Sequence, residues 1–285
     1  MPPRPEPLYG FDRSLDQLSK EFLHNPMRRF LRDLAVRDRI AQVMDFKDRN
    51  ELNNWTVAQT QTSTNFTHVT TEVVGLLQGT TANTTTANVS MVTKEPFFGN
   101  NNTIIEGRVK VNTVASTWTM EFGLVDAAPA TGAQFVTDID VPTFVGTNGA
   151  LFHIDNSQTH ANLAFASVGS FTGQTVATTL LTSSNTPAPA VTAPSADTYI
   201  TFKIALLTTV THKTMVYGWM NGRLVSSTAH APASGGVAGN VNLFGWFYFK
   251  TIAAAVKIPS IDYFRYSMDR TNSWSVLEGH SAFGA

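Results

Sequence analysis

Apolar and polar side chains alternate one for one through several stretches of this chain, the period of a strand with one buried face. In residues 103–113, Ile105, Val109 and Val111 share one face while Glu106, Arg108 and Lys110 share the other. Trp118, Met120, Phe122 and Leu124 alternate with Thr119, Glu121 and Gly123. Ile200, Phe202, Ile204 and Leu206 alternate in the same way with Tyr199, Thr201 and Lys203. Residues 213–228 predict two strands joined at Asn221-Gly222, the dipeptide that best tolerates the positive φ angles of a type I′ turn. Residues 243–249 are apolar apart from Gly245, which predicts a strand covered on both faces, and residues 258–268 predict a last strand. Residues 79–88, 183–196 and 229–239 are loops by composition. Many strands at hairpin spacing, without helical interludes, predict an all-β fold, an antiparallel sandwich or jelly roll.

The first 50 residues follow another pattern. Residues 2–7, Pro-Pro-Arg-Pro-Glu-Pro, favour an extended polyproline-like lead. Ser14 and Gln17 form a capping box ahead of the stripe Leu15, Leu18 and Phe22. Asn25-Pro26 reads as an N-cap followed by proline at the first helical position. The helix it predicts runs to about Met44, with Met27, Phe30, Leu31, Leu34, Ala41 and Met44 on one side. Arg29, Asp33 and Arg37 lie four apart on another, a ladder worth about a few tenths of a kcal/mol per pair. The expected organisation is therefore an extended and helical arm over 1–50 and a β-sandwich over 51–285.

Composition sharpens that division. Threonine is absent from the first 55 residues and occurs 38 times in the remaining 230. Residues 1–50 hold 10 of the 20 Lys and Arg and 8 of the 21 Asp and Glu, so the arm carries a net charge of about +2. The whole chain nets −1, which gives no global field to attract nucleic acid or an anionic membrane. With no cysteine, disulfides and thiolate metal sites are excluded. The N-terminal residues have no signal-peptide pattern, and the longest apolar run falls far short of the roughly 20 residues of a membrane span. Five N-x-S/T triplets, at Asn54, Asn65, Asn83, Asn88 and Asn101, are read as a consequence of Asn- and Thr-rich composition. The expectation is a soluble chain made in a cytoplasm.

Two segments carry a resemblance. Residues 106–111 (EGRVKV) and 118–126 (WTMEFGLVD) resemble the strand pair of concanavalin A-like lectin/glucanase sandwiches. Residues 216–225 (VYGWMNGRLV) are similar to that fold's hairpin, and 261–266 (IDYFRY) to its closing strand, so the resemblance covers about residues 51–270. These motifs are structural. A helical arm ahead of such a sandwich, rich in Thr, Asn and Ala and free of Cys, also resembles tailed-bacteriophage virion proteins. That second resemblance implies a sandwich that decorates a capsid or forms part of a tail.

Glucanases of the resembled fold carry paired carboxylates, Glu-x-Asp-x-x-Glu, on one strand face. Here the nearest candidates are Glu121 and Asp126, which at strand rise point to opposite faces about 16 Å apart. No third carboxylate follows, so the expectation is no catalytic residue and no enzyme. Asp138 with Asp140, and Asp155 with Asn156, could offer oxygen ligands to Ca²⁺, but such short pairs mostly make turns. No pair of His falls at i, i+4, so no metal site and no cofactor are assigned. Trp55, Trp118, Trp219, Trp246 and Trp274 could stack on sugar rings, though core burial is the commoner use of each.

This leaves the arm as the expected seat of specific contacts. It either caps its own sandwich or lies along a neighbouring protein; Asp33 and Asp38 among its arginines disfavour nucleic acid. The leading expectation is a non-enzymatic virion structural protein, a capsid decoration (cement) protein. Its partner-binding residues would be Phe22, Met27, Arg28, Arg29, Phe30, Leu31, Arg32, Leu34, Arg37 and Arg39, fastening it to a major capsid protein or to sibling subunits. A homo-oligomer, first of all a trimer, suits a symmetric shell. The alternative is a carbohydrate-binding, lectin-like module of a phage tail or fibre.

Overall fold

The structure, a computed structural model, describes residues 39–46, 49–61, 65–69, 75–98, 101–112, 118–138, 143–155, 163–169, 175–180, 197–208, 214–224, 241–254 and 256–269. These form eighteen strands and one 3-10 helix (Arg49–Asn54). The strands are β1 (Arg39–Met44), β2 (Trp55–Gln59), β3 (Asn65–His68), β4 (Leu77–Thr80), β5 (Asn88–Thr93) and β6 (Phe97–Phe98). Next come β7 (Ile104–Val111), β8 (Trp118–Val125), β9 (Val136–Asp138), β10 (Thr143–Phe144), β11 (Gly149–Asp155) and β12 (Leu163–Gly169). The last six are β13 (Thr175–Leu180), β14 (Ile200–Thr208), β15 (Thr214–Met220), β16 (Arg223–Leu224), β17 (Asn242–Thr251) and β18 (Pro259–Asp269).

Two eight-stranded sheets make an antiparallel jelly-roll sandwich. Sheet A runs β16-β15-β14-β7-β18-β4-β3 with β1 also on β18; sheet B runs β13-β12-β11-β8-β17-β5-β2 with β6 also on β17. The core between them is largely aromatic. Phe122 of β8 stacks on Phe202 of β14 at 5.8 Å, Phe152 lies 4.6 Å from Phe202, and Trp118 stacks on Phe249 at 5.6 Å. Gly107 of β7 belongs to this packing: a Cβ there would come within 2.4 Å of the Phe122 ring, so the sheets close only because the side chain is absent.

The alternation read from the sequence sets the faces of sheet A. Ile105, Val109, Val111, Ile200, Phe202, Ile204 and Leu206 are buried in the core, and Arg108, Lys110, Tyr199, Thr201 and Lys203 face outward. The Asn221-Gly222 hairpin forms between β15 and β16, with φ of 50° and 77° at its two residues, the signs a type I′ turn demands. In β18 a bulge inserts Asp262 between Ile261, opposite Val109, and Tyr263, opposite Arg108. The extra residue inverts the side-chain parity, so Phe264 points into the core while Tyr263 and Arg265 point out.

Three expectations are corrected. The helix predicted to run to Met44 does not: Arg39–Met44 is a strand paired to β18. Its side chains are placed as in a strand, with Val43 60% exposed and Met44 buried, receiving the Trp55 indole N–H at 3.3 Å. Pairing and one-sided burial outweigh the weak helix preference of six residues. The sandwich consequently starts ahead of residue 50, and the contact pattern divides the chain at Arg39 and Ile40. The predicted helices of residues 1–38 lie outside the described residues, as do the expected loops 183–196 and 229–239. Residues 79–88 are not all loop, since Gly79 is in β4 and Asn88 opens β5.

Candidate functional site

Sheet B has its own cover. All eight residues of β8 are buried, although their alternation predicted one polar, outward face. The reason is the segment between β8 and β11, which lays Phe135, Val136 and Phe144 over Val125, Leu151, Ala166, Val168, Trp246 and Tyr248 in a second apolar cluster. Beneath it Glu121 is fully buried. Its Oε2 accepts the backbone N–H of Phe135 at 2.8 Å and the Trp246 Nε1–H at 2.7 Å. Its Oε1 accepts the backbone N–H of Val136 at 2.8 Å and Nδ1–H of the buried His153 at 3.2 Å. Four donors saturate the carboxylate and fix the covering segment to the sheet. Close by, the Tyr248 hydroxyl donates to the Gly132 carbonyl at 3.1 Å. Burial, and then the charge of Glu121, push that phenol above its usual range.

Asp126, the other carboxylate singled out in the sequence, sits just past the end of β8. Its Oδ2 accepts from the backbone N–H of Thr147 at 3.0 Å, the Thr147 hydroxyl at 2.7 Å and the backbone N–H of Asn148 at 2.8 Å. The two carboxylates therefore hold separate parts of the same covering segment and share no site. Asp140 and Asn156 lie outside the described residues. Among the described residues no group of three His, Asp or Glu side chains is placed to hold a metal ion.

The outer face of sheet A carries chemistry in the open. Strand pairing aligns Trp219, Lys203, Glu106 and Arg265 in one row across β15, β14, β7 and β18. Three strand intervals make that row roughly 14 Å long. One row along lie Thr201, Arg108 and Tyr263. Trp219, Tyr217, Tyr199 and Tyr263 are each half-buried on this outer face. The Tyr217 and Trp219 rings lie 5.9 Å apart at 31°, and Lys203 Nζ stands 5.1 Å from the centre of the Trp219 ring. Arg108 and Lys110 stand over the Tyr199 ring at 4.3 and 5.0 Å.

Ion pairs hold this face in register. Arg265 Nη2 meets Glu106 Oε2 at 2.6 Å, and the Tyr263 hydroxyl donates to Glu106 Oε1 at 2.6 Å. Burial and that hydrogen bond raise the Tyr263 phenol, and the bond to Glu106 raises the Arg265 guanidinium. Arg108 Nη1 meets Asp262 Oδ2 at 2.9 Å, and Lys110 lies 3.8 Å from Asp197. A separate cavity of about 90 Å³, bordered by Gln42, Glu95, Phe97 and Tyr266, has room for only a few waters. The Tyr266 hydroxyl donates to Gln42 there, and burial, with Glu95 nearby, raises its phenol.

Of the expected partner-binding residues, Phe22, Met27, Arg28, Arg29, Phe30, Leu31, Arg32, Leu34 and Arg37 lie outside the described residues, and Arg39 opens β1. Trp55, Trp118 and Trp246 are buried as expected; Trp219 is the exception, and Trp274 lies outside the described residues. The signal for Trp219 was present in the sequence. Val216, Gly218 and Met220 alternate with Tyr217 and Trp219, which puts both aromatics on the outer face. No local pattern pointed to the Glu121 cluster, whose donors come from three separate segments.

Neither a protein-family model nor a curated protein matches the sequence. Solved structures do match the fold. An endo-beta-1,4-glucuronan lyase from the fungus Trichoderma reesei aligns with TM-score 0.51 and 10% identity over 81% of this chain and 96% of its own. A glycosyl hydrolase family protein from Mycobacterium fortuitum aligns with TM-score 0.50 and 10% identity over 79% and 98%. The carbohydrate recognition domain of Emp46p aligns with TM-score 0.48 and 12% identity over 78% and 94%. The sandwich thus has the concanavalin A-like jelly-roll fold. These matches overturn the expectation that the chain is not an enzyme, because a hydrolase and a lyase are built on this fold. The missing carboxylate pair speaks against one reaction, and the fold carries others.

Proposed function

We propose that the chain binds carbohydrate on the outer face of sheet A. The observation that carries this reading is the half-buried Tyr217–Trp219 pair on an open sheet face, beside Lys203, Glu106 and Arg265. A sugar ring has an apolar C–H face that stacks on such a plate and equatorial hydroxyls that hydrogen-bond to charged groups around it. Exposed aromatics on a sheet also stack nucleic-acid bases, but those surfaces pair them with a continuous positive groove. Here Arg108, Arg265 and Lys110 each already face a carboxylate. Screening wild type and Trp219→Ala against a glycan array tests the proposal. Binding that disappears in the variant is expected; binding indifferent to Trp219 overturns it.

A second reading keeps the sequence-based one, in which the arm of residues 1–50 fastens the chain to a virion shell or to sibling subunits. Its support is the abrupt change in charge and threonine content between the two parts of the chain. Particle binding by the full chain and by a chain starting at Arg39 tests it. Equal binding removes the anchor. The two readings are compatible, since one concerns the arm and the other the outer face of sheet A.

A further inference from the structure

We infer that the carbohydrate recognised is acidic, with a carboxylate borne on the sugar ring and met by Lys203 beside the Trp219 plate. The inference rests on the glycan-binding reading and adds its ligand class. Among the described residues, the outer face of sheet A around Trp219 presents the cations Arg108, Lys110, Lys203 and Arg265 and the carboxylates Glu106, Asp197 and Asp262. Each carboxylate has a cation within ion-pair distance, at 2.6, 3.8 and 2.9 Å respectively. Lys203 is the remaining cation. Among the described residues it meets no carboxylate within ion-pair distance; instead its ammonium stands 5.1 Å from the centre of the Trp219 ring.

Its position suits a ring-borne carboxylate. Lys203 sits directly opposite Trp219 on one side and Glu106 on the other. A pyranose stacked on Trp219 and Tyr217 therefore puts a substituent at its edge within reach of the ammonium. Glu106 does not repel that substituent strongly, because both of its oxygens are engaged, one by Arg265 and one by Tyr263. One unmatched cation in a field of matched pairs selects a ligand of low charge density. A phosphodiester backbone would need cations in series, and here carboxylates interrupt them.

Isothermal titration of the full chain with a neutral β-linked oligosaccharide, and with the same oligosaccharide oxidised to the uronate at C6, tests the inference. Wild type is expected to prefer the uronate about fivefold, as one exposed charge pair provides. The preference should shrink when salt is raised, because the contact is open to solvent. Lys203→Met should bind both sugars equally, at the neutral sugar's affinity, and Lys203→Arg should restore the preference. Equal binding of the two sugars by wild type overturns the acidic ligand and leaves the glycan face standing. Binding of neither sugar, or binding unchanged in Trp219→Ala, overturns both. Tighter, Trp219-dependent binding of a single-stranded DNA oligonucleotide would also overturn both, in favour of nucleic acid.

Discussion

The indole N–H of Trp246 donates to Oε2 of Glu121 at 2.7 Å, and that same carboxylate accepts the backbone N–H groups of Phe135 and Val136. One side chain on β8 thus ties the neighbouring strand β17 to the segment that covers sheet B. Glu121→Gln replaces one oxygen by an NH₂ group that faces donors. At a fully buried site the conflict should lower stability by about 3 kcal/mol. Urea unfolding should show the midpoint shifted down. An unchanged midpoint would mean that Glu121 does not anchor the covering segment.

The same cluster gives a pH dependence. Tyr248 has its phenol raised above the ordinary value of 10.0, mainly by burial and then by Glu121. A group with a raised folded-state value binds its proton more tightly in the native state. The stability it contributes is fully present below pH 10 and is lost as pH rises beyond that. Alkaline unfolding should therefore begin above about pH 10 and be less steep in Tyr248→Phe. Equal pH slopes in the two proteins would contradict this.

Local alternation was enough to place β7, β14 and the β15–β16 hairpin, because the two-residue period, with the turn dipeptide for the hairpin, needs no information from elsewhere in the chain. It failed wherever the partner lies far away in sequence. Arg39–Met44 followed a helical pattern and read as its last turns, yet its pairing with β18 spans more than 200 residues. The outward face of β8 read as polar because its cover, which includes Phe135, Val136 and Phe144, has no signature of its own. In the sequence Glu121 stands out only as the nearest match, with Asp126, to a paired-carboxylate motif. The structure uses it to hold backbone amides. The general tendency of Trp to be buried places Trp219 in the core, whereas the alternation of its own strand points it outward.

Gly107 and Phe122 make a paired prediction. Gly107→Ala would place a methyl group 2.4 Å from the Phe122 ring and should destabilise by about 1–3 kcal/mol through overpacking. The double variant with Phe122→Leu should recover part of that loss, since the smaller side chain leaves room. Additive losses in a denaturation cycle would show that the two residues do not compete for the same space.

Trp219 and Trp118 should separate binding from folding. Trp118 is 1% exposed and stacks on Phe249, so Trp118→Ala should cost about 3–5 kcal/mol. Trp219 is half-buried on the outer face, so Trp219→Ala should cost about 1 kcal/mol or less while abolishing glycan binding. Thermal unfolding alongside titration reads both effects. A large loss of stability in Trp219→Ala would make it a packing residue and remove the support for the binding face.

The place where the chain is cut decides what a truncation reports. A chain starting at Arg39 keeps β1, and one starting at Phe46 loses it. Without β1, Trp55 loses the Met44 sulfur that its indole N–H contacts at 3.3 Å, and Tyr266 loses the Gln42 acceptor at 2.7 Å. The buried Met44 side chain goes as well, leaving Trp55 and Phe264, which pack edge to face at 5.0 Å, nearer to water. Together these losses should make the shorter chain less stable than the longer one by about 2–4 kcal/mol. Urea midpoints of the two truncations measure the difference directly. Equal midpoints would mean that β1 adds nothing to the sandwich, and the boundary would then move back toward residue 50.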